Sequence, residues 1–118
     1  MAREKFLVAA ASSDGIVVNR HFGKADRFFI YEVSDEKTEL IEVRQTEPVC
    51  ENGNHDEERL EATADLLSDC SYLIVSKIGN GAANVVTAKG IEPYEIPGII
   101  TESIEQLIKF IKINELFL

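Results

Sequence analysis

Lys5-Phe6-Leu7-Val8-Ala9-Ala10-Ala11 is a short, almost wholly apolar run, and its reading decides the fold. A strand with one face in water alternates polar and apolar residues. A run with no polar position after Lys5 fits a strand buried on both faces, in the middle of a helix-covered sheet. Ser12-Ser13-Asp14-Gly15 ends it with turn chemistry, since Gly accepts positive φ and Ser and Asp bond nearby amides.

Working outward, Ile16–Val18 reads as a brief extended piece, and Arg27–Val33 (RFFIYEV) as a second strand, aromatic and branched. The polar turn Ser34–Thr38 is short enough to make Glu39–Gln45 its antiparallel hairpin partner, a half-exposed edge strand. Thr46–His55 reads as a loop. A helix is expected from about Asp56 to Ser68, capped by Asn54 or Asp56, with Leu60, Ala64 and Leu67 on one face. Ser71–Ser76 is a buried strand, Ile78–Gly81 turns into a helix that stops at Gly90, and Ile91–Ile96 is the fifth strand. Pro97-Gly98 breaks the chain, Thr101 is the expected N-cap, and the last helix stripes Ile104, Leu107, Ile108 and Ile111.

The order β-β-β-α-β-α-β-α, with right-handed crossovers, implies a three-layer α/β/α fold in the α/β class. Its mixed five-stranded sheet is expected in the order 3-2-1-4-5, with strand 2 antiparallel. At 118 residues the chain is expected to be one domain, 1–118. The beginning runs straight into a strand without a signal-peptide core, and no apolar run approaches the roughly 20 residues of a membrane span. The expectation is a cytoplasmic protein without a membrane partner. Two cysteines make no disulfide framework, and Cys70, ahead of an apolar run, reads as a small buried hydrophobe.

A net charge of −9 argues against nucleic acid. The charge is uneven: residues 32–70 hold 13 acids and 3 bases, residues 1–31 hold 3 acids and 5 bases. A locally positive stretch on an acidic body suits a small anion.

In this topology Ser12–Gly15, Asn19–Gly23, Val49–His55 and Ile78–Gly81 converge on one sheet edge, at a switch point where open α/β sheets usually bind ligands. His21 is the best-placed imidazole there, although a lone loop histidine is more often structural. Gly23 would let backbone approach a bulky ligand, Phe22 would anchor the loop in the core, and Arg20, Lys24 and Arg27 could offset negative charge. Cys50 and His55 form Cys-x4-His, a soft and a borderline ligand for iron or zinc, but two residues cannot close a structural zinc site. Gly79-Asn80-Gly81 opens a helix as a phosphate-binding turn would, with Ser13 and Asp14 on the same edge. Asn84 breaks the dinucleotide fingerprint, and tight turning with close backbone approach is the plainer reading of the glycines. Catalytic arrangements are poor: no Gly-x-Ser-x-Gly, and few acids at the edge for a two-metal site.

Three motifs then stand in order: Ser-Asp-Gly with Asn-x-His-Phe-Gly-x-Ala, Pro-x-Cys-x4-His-Asp before a helix, and Ser-Lys-Ile-Gly-x-Gly-Ala. Together they resemble the dinitrogenase iron–molybdenum cofactor biosynthesis family, which includes NifX-type carriers and the C-terminal domain of NifB. The resemblance implies a ribonuclease-H-like fold and the binding or carriage of an iron–sulfur or iron–molybdenum-type cluster, with no chemistry of its own. It carries the ligand role onto His21 and matches Cys50 and His55 to the second motif, with Arg20 and Lys24 around an anionic cluster. It also implies cluster donor and acceptor proteins as partners, and a monomer or weak homodimer. With two Cys and two His in the chain, a cluster would be held loosely, completed by a second protomer or an exogenous thiol. The alternatives are a small metal-dependent hydrolase using Asp14 and a metal-free regulatory module that binds a partner.

Overall fold

A computed structural model describes residues 5–34, 37–48, 50–51, 54–55 and 57–116, with backbone alone for residues 50–51, 54–55 and 116. The strands are β1 (Phe6–Ala11), β2 (Val17–Val18), β3 (Arg27–Val33), β4 (Thr38–Gln45), β5 (Cys50–Glu51), β6 (Asn54–His55), β7 (Tyr72–Val75), β8 (Glu92–Glu95) and β9 (Gly98–Ile99). The helices are α1 (Glu57–Leu66), α2 (Asn80–Ala88) and α3 (Ile100–Leu116), with a 3-10 turn at Phe22–Lys24.

Five strands form one mixed sheet in the order β4-β3-β1-β7-β8. The apolar run Phe6–Ala11 lies at its centre, antiparallel to β3 and parallel to β7. From Val8 to Ala11 it is fully buried, because helices cover both faces there. On one side Ala9, Ala11, Phe28, Ile30, Leu73 and Val75 pack with Leu60, Ala64 and Leu67 of the α1 segment and Val86 of α2. On the other, Val8, Ala10, Tyr31, Val33 and Ile74 pack under Ile100, Ile104 and Leu107 of α3. The alternation of Cβ along each strand thus feeds two cores.

Several local expectations differ. Edge strand β4 is exposed at every position but Arg44, with Leu40, Ile41 and Val43 each more than two-fifths exposed. A register shift at Ile30/Tyr31 leaves Ile41 unpaired, so its alternation does not bury one face. Thr101 is not a cap, because α3 already begins at Ile100, whose N–H donates to the Ile16 carbonyl at 2.8 Å. Gly98, with φ of 125°, does not merely break the chain but pairs as β9 with β2. The stretch expected as a loop over Thr46–His55 contains the β5–β6 ladder. Helix α1 ends at Leu66, and the proposed cap Asp56 lies outside the described residues.

Arg44 ties the exposed edge to the helical layer. Its guanidinium donates to Asp69 at 2.6 and 2.8 Å, to Glu42 at 2.8 Å and to the Leu66 carbonyl at 2.9 Å. Two carboxylates on one fork hold its pKa above the usual arginine value. Among the described residues no helix is long and apolar enough to cross a membrane.

Candidate functional site

The turn after β1 is built by Ser12 and Asp14. Buried Ser12 Oγ accepts from the amides of Asp14 and Gly15 at 3.2 and 2.9 Å and donates to Asp14 Oδ1 at 3.1 Å. Asp14 Oδ1 in turn accepts from the amides of Ile16 and Val17 at 2.9 and 3.2 Å, which holds its carboxyl below the usual range. Gly15 has φ of 80°, and a Cβ there would sit 2.7 Å from the Phe29 ring, so glycine is required twice over. Asn19 joins this turn to the next loop: its Oδ1 accepts from the Ser13 amide at 3.0 Å and its Nδ2 donates to Ser13 Oγ at 2.9 Å.

The chain then crosses the end of β7. Ser76 N–H donates to the Arg20 carbonyl at 3.0 Å, Phe22 N–H donates to the Lys77 carbonyl at 2.9 Å, and His21 pairs with Lys77 as a parallel bridge. Phe22 is buried, its ring 6.0 Å from that of Phe28, which fixes the loop in the core beside exposed His21. Gly23 lies inside the 3-10 turn, and Lys24 N–H closes that turn onto the His21 carbonyl at 3.0 Å. The result is a stiff backbone carrying outward-facing Arg20, His21 and Lys24 side chains.

β5 runs beside this 3-10 turn, with α-carbons within 8 Å, and its Cys50 is the register partner of His55. The preceding segment is moored by Thr46 N–H on the Asp26 carbonyl at 2.9 Å and by Arg59 Nη1 on the Pro48 carbonyl at 3.3 Å. The backbone thus brings the Cys-x4-His segment next to the His21 loop. Cys70 lies elsewhere, buried under the helical layer, and burial pushes its thiol up to about 12.

On the β7 side the turn ends at α2. Ile78 N–H donates to Glu95 Oε2 at 2.8 Å, and Gly79 is the N-cap. The helix start has no side-chain cap bond and no acid in its first turn, which leaves its first N–H groups without a side-chain acceptor from the cap. Gly79 and Gly81 do not serve tight turning: neither has positive φ, and a Cβ at either would meet nothing within 4 Å.

Charge follows the same geometry. Lys5, Lys37, Arg44, Arg59 and Lys89 are all in ion pairs, and Arg27, expected beside the site as a free cation, is held by Asp26 at 3.4 Å. Among the described residues Arg20, Lys24 and Lys77 at this edge have no ion pair, nor do Lys109 and Lys112 on α3. Lys77, which stands in the Ser-Lys-Ile-Gly-x-Gly-Ala motif, is given no site role by the sequence; its bridge to His21 is a non-local pairing that motif spacing does not carry. Asp14 gives a two-metal reading little, since its carboxylate is occupied by turn amides. Among the described residues no three His, Cys, Asp or Glu side chains gather as a metal site.

Residues 4–110 match the family described as dinitrogenase iron-molybdenum cofactor. The chain is 37% identical over 108 residues to the FeMo cofactor biosynthesis protein NifB of Frankia alni, covering 88% of this chain and 21% of that one. It is 34% identical over 102 residues to NifX of Azotobacter vinelandii, covering 85% of this chain and 63% of that one. It therefore spans less than two-thirds of the length of these relatives. The crystal structure of PH0822 superposes with a TM-score of 0.65 at 21% identity, over 87% of this chain and 90% of that one. An NMR structure from Thermotoga, provisionally assigned to NifB, gives 0.59 at 23%, covering 88% of each chain; at such identities both speak to fold alone. The family match over nearly the whole length places this chain in the dinitrogenase iron–molybdenum cofactor family.

Proposed function

We propose that this chain binds an anionic, sulfur-rich iron cluster, an iron–molybdenum cofactor precursor or a related iron–sulfur species, and passes it from a donor to an acceptor protein. The cluster is cargo, and the chain performs no chemistry on it. The observation that carries the reading is the exposed His21 imidazole on a rigid loop beside Arg20 and Lys24, cations without ion pairs among the described residues of an acidic chain.

His21 supplies a nitrogen donor to iron. Cys50 and His55, on the neighbouring ladder, are the further ligands in this reading. Ser13 and Asp14 shape the adjoining turn, and the open start of α2 at Gly79 and Gly81 offers backbone N–H groups to sulfide. The sheet order with one reversed strand supports a ribonuclease-H-like descent for the fold. The partners are proteins of cluster assembly, and the compartment is the cytoplasm.

The test is anaerobic incubation with a preformed [4Fe–4S] cluster, followed by desalting and absorption spectroscopy. The wild-type chain is expected to retain brown colour; His21→Ala should lose it with an unchanged circular dichroism spectrum, and Cys50→Ala should weaken it. Full retention by a folded His21→Ala variant overturns the reading.

A further inference from the structure

Resting on this carrier reading, we propose that Lys77 makes the rim select its cargo by charge: His21 supplies the coordinate bond, and Lys77 restricts the site to anions and excludes bare divalent cations. The two residues are paired across a parallel bridge although 56 positions separate them. Residues paired in this way project to the same side of the ribbon, and both are exposed. The two residues therefore share one open surface, with the ammonium within a lysine side chain's reach of the imidazole.

The backbone under Lys77 is held from both flanks. Before it, Ser76 N–H bonds the Arg20 carbonyl; its own carbonyl accepts from Phe22 N–H; after it, Ile78 N–H is held by Glu95. Its side chain has no ion pair among the described residues, as is also true of Lys24 in the His21 loop, whereas Lys5, Lys37 and Lys89 are paired. The start of α2 follows three residues later without an acid in its first turn, and the nearby carboxylate of Glu95 is engaged by the Ile78 amide rather than by the ammonium. An imidazole on a surface is a ligand for divalent transition metals. A cation on the same surface repels such ions and favours a ligand whose metal arrives inside a net negative sulfide shell.

The experiment titrates two probes into wild type, Lys77→Gln, Lys77→Glu and His21→Ala, at low and high salt. The probes are tetrathiomolybdate, a coloured sulfur-rich dianion, and Co²⁺, read by its visible absorption. Lys77→Gln should weaken tetrathiomolybdate about five- to tenfold and flatten its salt dependence. Lys77→Glu should abolish that binding and gain a Co²⁺ signal that the wild type lacks. Wild-type affinities in both Lys77 variants, with [4Fe–4S] retention still lost in His21→Ala, would overturn the charge-selection proposal while leaving the carrier reading standing. Tetrathiomolybdate offers an imidazole no open metal site, so the carrier reading itself falls only if folded His21→Ala retains the [4Fe–4S] cluster.

Discussion

Asn19 grips Ser13 at two points, accepting from its amide and donating to its hydroxyl, and so joins the turn after β1 to the loop that presents His21. Both bonds are solvent-exposed, so together they stabilise the fold by only about 1 kcal/mol. Their larger effect is on geometry, since His21 follows two residues later. Asn19→Ala should therefore leave the unfolding temperature almost unchanged but weaken cluster retention several-fold. Asn19→Asp keeps the acceptor and loses the donor, and should fall between. A loss of stability as large as the loss of retention would show that the clamp serves the fold rather than the site.

Phe22 couples the site to the core through the neighbouring residue. Its ring is buried against Phe28 within the α1/α2 side of the core. Phe22→Ala should cost about 3–5 kcal/mol by cavity formation, measured by urea denaturation. Phe22→Leu keeps most of the volume and should cost about 1–1.5 kcal/mol, with the His21 loop still ordered enough to bind. Equal binding by both variants would mean that the loop is held by its backbone bridge alone.

Much of this arrangement was legible in the sequence, and the reasons differ by element. Phe6–Ala11 declared a central strand because burial on both faces removes every polar position. Ile104 and Leu107 declared one face of α3 by helical spacing, and both are buried. The β2–β9 and β5–β6 ladders were not legible: two residues give no period, and their partners lie far along the chain or within what read as a loop. The alternation in β4 was visible, but alternation alone does not show whether a face is covered, and β4 is exposed on both faces. His21 and Lys77 each stand in a motif, but their adjacency is a non-local pairing that neither motif carries. Arg27 was grouped with the site by proximity in sequence, yet Asp26 claims it.

Gly15 offers a test of backbone strain near the rim. At φ of 80° an L-residue is disfavoured, and a Cβ would press on the Phe29 ring at 2.7 Å. Gly15→Ala should destabilise by about 1–3 kcal/mol. Combining it with Phe29→Ala removes the ring contact but not the torsional cost, so the double mutant should recover only part of the coupling in a double-mutant cycle. Full recovery would assign the whole effect to the clash.

Cys70 and Cys50 should separate by reactivity. Burial raises the Cys70 thiol to about 12, so little thiolate forms at neutral pH and the group is shielded as well. Titration of the native protein with a thiol reagent should give the same fast amplitude for wild type and Cys70→Ala. In denaturant the wild type should report two thiols and the variant one. A fast native signal that disappears in Cys70→Ala would contradict the buried, inert assignment.

The Arg44 fork predicts how stability depends on pH. Its guanidinium, bonded to Asp69 and Glu42, holds both carboxyls below their usual range in the folded chain. A carboxyl whose pKa is lower folded than unfolded contributes stability that is present above its unfolded value, near 4. That contribution falls away as pH drops through the folded value, because the folded state must then take up protons it resists. Wild type should accordingly lose stability as the pH falls below about 4, and Arg44→Met should flatten that slope. At neutral pH the same substitution should cost about 1–2 kcal/mol, since it also leaves the Leu66 carbonyl without its donor. Urea midpoints at a series of pH values check both parts, and an unchanged acid slope in Arg44→Met would place the acid-sensitive groups elsewhere in the chain.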